Sequence, residues 1–188
     1  MTTTCDSTTM ELLRRVVGMR LEKVAARRYP GVLAYSQVVA TFAEGLSIRV
    51  DLSDETVVPM FEVFVARARP VEPPSELTEW DRLELGDFVV ASVFLLRREE
   101  WIEKPTKTTY QPVGRHGVEQ KFGAIGDEDD ERQTVIVDSG VCFISTRCAE
   151  LSLDADTFPL VLQLRYEVAP SQLPQGSRIA VNEHRTPQ

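Results

Sequence analysis

The chain has 188 residues and a formal net charge of -8, a balance that repels a phosphate backbone and argues against nucleic-acid binding through bulk charge. Its 43% apolar and 27% charged content is that of a folded globular chain and excludes global disorder. At this length one domain buries a sizeable core without the help of disulfides or a structural metal, so no cofactor is expected on grounds of stability.

Met1 to Thr9 is polar, and the longest apolar run, Phe88 to Leu96 with Ser92 inside it, is about half of what a bilayer needs. A cytoplasmic protein without a leader or a membrane span is the expectation. Cys142 and Cys148 lie six positions apart in a strand-like stretch, roughly 20 Å when extended, which is beyond disulfide reach. With Cys5 near the N-terminus, all three are expected as free thiols.

In chain order, Thr8 and Glu11 form a capping-box pair, Leu12, Leu13, Val16 and Val17 repeat at helical spacing, and Gly18 suits a left-handed stop. A short helix is predicted there, then a strand over about Arg20 to Arg27. Val38 to Leu52 reads as a hairpin. A three-residue loop, Ala43-Glu44-Gly45, pairs Phe42 with Leu46 and brings Val38, Ala40, Phe42, Leu46, Ile48 and Val50 onto one face, with Gly45 at the left-handed position. Met60 to Ala68 reads as a strand, and Pro70, Pro73 and Pro74 then forbid regular pairing. A short helix is expected from Glu76 to Leu83, followed by a turn at Gly86-Asp87 and a central strand from Phe88 to Leu96 that is apolar at both parities.

Residues 103–133 are polar, carry several prolines and glycines, and end in Asp127-Glu128-Asp129-Asp130-Glu131, five carboxylates that repel one another. A connection this long inside a domain is usually functional or disordered. Strands are expected again at Thr134 to Val137, Val141 to Thr146, Glu150 to Ala155 and Leu160 to Val168, with a turn or bulge at Asp138-Ser139-Gly140. The predicted class is therefore α+β: a mostly antiparallel, strand-rich sheet with a short N-terminal helix and a long irregular loop. Residues 1–8 are expected as a tail, 9–169 as a single domain and 170–188 as a turn-rich tail.

The chemistry is sparse. Of the two histidines, His184 lies near the C-terminus and His116 in the 103–133 stretch, and neither belongs to a metal-ligand spacing. Ser139 between Asp138 and Gly140, with His116 as base, offers the elements of a nucleophilic site without the G-x-S-x-G elbow. Asp127, Asp129 and Glu131 alternate as calcium ligands do, but Arg132 and Asp138 stand where an EF-hand needs Gly and Glu. Trp80 and Trp101 suit a sugar platform as well as a core or rim.

Two readings compete. In the first, the chain is a non-catalytic protein-protein interaction module, an acidic neutraliser of a basic partner protein, with Asp127, Glu128, Asp129, Asp130, Glu131 and Trp101 as partner-binding residues. In the second, it is a small-ligand binder or hydrolase using carboxylates near residues 103–140, with His116, Asp138 and Ser139 at the site. A homo-oligomer pairing through a strand edge is a further possibility.

Overall fold

A computed structural model describes residues 2–29, 34–58, 61–72, 80–102, 133–155, 161–167 and 178–181. Among them are eleven strands and one α-helix: β1 (Thr2–Thr3), α1 (Ser7–Arg15), β2 (Arg20–Arg28), β3 (Tyr35–Phe42), β4 (Ser47–Val58), β5 (Phe61–Pro70), β6 (Trp80–Leu83), β7 (Phe88–Ile102), β8 (Gln133–Ser145), β9 (Glu150–Ala155), β10 (Leu162–Glu167) and β11 (Arg178–Ala180). The α+β expectation is thus corrected to a mainly β fold with one short helix. The expected helix over 76–83 is the reason for the difference: Trp80–Leu83 is a strand paired with β2 (Arg27↔Trp80 to Val24↔Leu83), and 76–79 lie outside the described residues.

All strands join one sheet in the order β5-β4-β3-β10-β9-β8-β7-β2-β6, with β1 beside β8 and β11 beside β7. Because β2 also pairs with β3, the path β3-β10-β9-β8-β7-β2 returns to its start and forms a barrel-like ring. Two seams are thin: Leu162 pairs with Tyr35 at one, and Arg20 and Leu21 pair with Val89 and Phe88 at the other. Ring closure removes most of the edges on which open sheets aggregate.

The hairpin read from the sequence is present in the expected register. Val38 pairs with Val50, Ala40 with Ile48, and the Phe42 N–H donates to the Leu46 carbonyl at 2.7 Å. Gly45 takes the positive φ (77°) expected at the third loop position, and Glu44 is left-handed as well (65°), which the sequence pattern did not call for. Its inward side chains meet those of β7, β8 and β9 in one apolar core, where the Phe42 and Phe143 rings are 6.2 Å apart and tilted at 53°. β7 pairs with β8 along most of its length and with β11 on its other edge, the central place its double apolar parity implied.

Asp138-Ser139-Gly140 does not end a strand. β8 runs on through it, and the pairing with β7 slips there, Leu96 opposite Gly140 and Arg97 opposite Asp138, so Ser139 is the extra residue of a bulge. Both expected tails also contribute to the fold. β1 pairs in parallel with β8 (Thr2↔Ile136, Thr3↔Val137), and β11 pairs with β7, where Val181 is buried. A two- and a three-residue strand are too short to show a hydrophobic period, and both are held by partners distant in sequence.

The helix starts two residues before the predicted capping box. Asp6 is its N-cap, accepting from the Thr9 N–H at 2.6 Å, while Thr8 and Glu11 are exposed. Burial pushes the Asp6 carboxyl up, but the hydrogen bonds from Thr9 and the nearby Arg67 and Arg69 charges outweigh it, leaving its pKa below 3.8. A depressed carboxylate contributes stability above its unfolded value and loses it as pH falls through the folded value. Replacing Asp6 by Asn is therefore expected to cost about 0.5 kcal/mol at pH 6. In urea titrations repeated over pH, that gap should close below about pH 4; a gap constant to pH 2 would contradict the assignment.

Candidate functional site

The residues singled out from sequence fall into two groups. His116 and the acidic run Asp127–Glu131 lie outside the described residues. Trp101 stands near the end of β7, paired with Thr134, and its side chain is likewise outside what is described. Asp138 and Ser139 are on β8 and are defined in full.

Asp138 is completely buried and both its oxygens are used. Oδ1 accepts from Arg97 Nε at 2.8 Å and Oδ2 accepts from the Cys5 backbone N–H at 3.0 Å. It joins β7, β8 and the segment that leads into α1. On the neighbouring β5, Arg67, 11% exposed, donates to the Thr4 carbonyl and pairs with Asp6 and Glu55. The Cys5 thiol donates to the Ala66 carbonyl, and Thr9 Oγ1 accepts from the Ala68 N–H at 3.0 Å. Residues 2–9 thus satisfy polar groups on both β5 and β8. This is structural work, and it accounts for Asp138 without a reacting role.

Ser139 is 1% exposed, with Oγ 2.8 Å from Asp154 Oδ1 and 3.2 Å from the Leu96 carbonyl. Its proton is committed to a neighbouring strand. Gly140 is required next to it, because a Cβ there would come within 2.3 Å of the Leu153 carbonyl oxygen.

A third buried pair crosses the same sheet. Arg178 Nη2 on β11 donates to both Glu150 oxygens on β9, at 2.9 and 3.0 Å, and Glu150 is 2% exposed. Cys142 lies beside this pair; burial first, and then the Glu150 charge, push its thiol up to about 12. Cys5 is raised to about 12 as well, by burial and then by Asp138. Neither is a ready nucleophile. All three cysteines are free, and Cys148 alone is exposed. In a timed alkylation at pH 8 followed by mass spectrometry, Cys148 is expected to be modified at least about tenfold faster than Cys5 and Cys142; similar rates at all three would contradict the burial.

A further polar cluster sits at the end of β2, β3 and β6. Arg28 donates two hydrogen bonds to Asp81 Oδ2 (3.0 and 2.7 Å), and the Tyr35 hydroxyl donates to the same oxygen at 3.1 Å. The Arg28 hydrogen bond holds Asp81 below its ordinary pKa, whereas burial and then the bond to Asp81 raise Tyr35. Nearby, an open cleft of about 460 Å³ runs between Glu22 and Lys23 of β2 and residues Arg82 to Gly86. It carries two charges of each sign, Glu22 and Glu84 against Lys23 and Arg82. Among the described residues no three His, Cys, Asp or Glu side chains converge as a metal site requires, and no helix is long and apolar enough to cross a membrane.

Strands β7 and β8 form the longest hairpin, paired from Val90↔Ser145 to Ile102↔Gln133. Ile102 and Gln133, the described residues on either side of 103–132, are thus direct partners at the end of this hairpin. Comparison with family models, with curated proteins and with solved structures gives no match.

Proposed function

We propose that the protein is a non-catalytic protein-binding module whose contact element is the 103–132 segment, and that its partner is a basic protein. The observation that carries this reading is the Ile102↔Gln133 pair, which holds both ends of that segment at the tip of the longest hairpin. The barrel then serves as scaffold, in keeping with the tendency of binding residues to sit on loops fixed by a rigid body. The net charge of -8 and the five consecutive carboxylates Asp127–Glu131 favour a cationic surface and would speed its encounter. The buried engagement of Asp138 and Ser139 supports a binding over a hydrolytic reading, since their polar atoms are used within the fold.

The test is affinity capture from the native cells, with the partner then titrated against full-length protein and a variant lacking 124–132. Stoichiometric capture and a loss of at least about tenfold in affinity on deletion, 1.4 kcal/mol, are expected. No stoichiometric partner, or an unchanged affinity, would remove the proposal.

A further inference from the structure

We propose that the N-terminal arm, residues 2–16, exchanges between two copies of the chain, so that each copy's arm docks on the other's body. The arm is a distinct unit. Its strand β1 lies on β8, its helix α1 packs on β5, and Met10, Leu12, Leu13 and Val16 enter the core. Yet it leads directly into β2, whose sheet neighbours are β3, β6 and β7. The arm is therefore docked away from the strand to which it is covalently joined, and the covalent join could equally belong to another copy.

The join is short and has one special residue. Val17, Gly18 and Met19 connect α1 to β2, the Gly18 N–H donates to the Val90 carbonyl, and Gly18 takes φ +86°. A Cβ at Gly18 would meet nothing within 4 Å, so the requirement for glycine comes from the backbone turn alone. Opening this turn would release the arm at the cost of the Gly18–Val90 hydrogen bond and, on the same residue of β7, the bond from the Val90 N–H to the Met19 carbonyl, while the strand pairs from Arg20 onward stay in place.

The acceptor surface selects the occupant. Asp138 Oδ2 needs a backbone N–H, the Ala66 carbonyl takes a thiol proton, the Ala68 N–H needs a hydroxyl oxygen, and Arg67 needs the Thr4 carbonyl and Asp6. A peptide of other composition would leave some of these buried groups without partners, which is costly. An identical arm from a second copy satisfies all of them in the same geometry, the condition under which exchange between protomers carries least cost. The exchanged state would be a closed two-fold dimer.

Thr2 and Ile136 are Cα partners in a parallel pair, a spacing of roughly 4.8 Å that suits a disulfide. Thr2→Cys with Ile136→Cys, in a Cys148→Ser background, is oxidised at low and at high protein concentration and run under non-reducing, denaturing conditions. A covalent dimer whose fraction rises with concentration is expected. A crosslink confined to single chains at every concentration would overturn the proposal. Gly18→Ala provides a second readout that needs no crosslink. The left-handed penalty is relieved at both opened hinges, so the dimer association constant by light scattering should rise about a hundredfold. A variant that stays monomeric up to about millimolar concentration also overturns it.

Discussion

Replacing Asp138 by Ala is expected to destabilise the fold by about 3 kcal/mol, at the lower end of what breaking a buried ion pair costs. The carboxylate has no exposure, and its removal leaves the Arg97 guanidinium (side chain 23% exposed) and the Cys5 N–H without their acceptor. Arg97 retains some water, which is why the lower end of the range applies. The urea midpoint should fall with the m-value unchanged. The Cys5 thiol should also become faster to alkylate, because its N–H anchor to β8 is lost. A loss below about 1 kcal/mol would show that the arm and the sheet do not depend on this carboxylate.

Gly140→Ala is expected to cost a similar amount, about 3 kcal/mol, by a different route. The added Cβ would lie 2.3 Å from the Leu153 oxygen and 2.8 Å from the Asp154 Cα, and both are backbone atoms that cannot swing aside. β8 and β9 would have to separate where Gly140 pairs with Asp154, and the Ser139–Asp154 hydrogen bond would go with them. For a chain of this size that corresponds to a drop of about 6–12 °C in melting temperature. A variant melting within about 2 °C of the parent would contradict the close approach.

These two neighbours also mark where sequence reasoning reached its limit. Asp138-Ser139-Gly140 could be read as a turn or a bulge, since the residue types suit both, and only the long pairing of β7 with β8 decides for the bulge. The register of the Val38–Leu52 hairpin was legible because its alternation and its loop glycine are local and agree, whereas the run of β4 on to Val58 depends on its pairing with β5. Trp80–Leu83 was read as the end of a helix because four residues cannot display a period, and their pairing with β2 is a tertiary choice. At the helix start, Thr8 and Glu11 matched the capping pattern, yet Asp6 holds the cap because it is also within reach of Arg67 on β5.

The polar clusters were the least legible. Cys5 and Asp138 are separated by 133 positions, and Glu150 meets Arg178 from a strand that the sequence assigned to a tail. No spacing rule reports such pairs. The composition of 103–133 did single out a candidate contact segment, and what the fold adds is the paired residues at its two ends.

The central claim, that the acidic end of this segment binds a basic partner, is tested most directly by titrating the captured partner at two salt concentrations. Full-length protein is compared with a variant carrying Asp127→Asn, Glu128→Gln, Asp129→Asn, Asp130→Asn and Glu131→Gln. The account predicts a weaker complex, a slower association rate, and an affinity that depends less on salt once the carboxylates are gone. Equal affinity and equal salt dependence for the two proteins would contradict it.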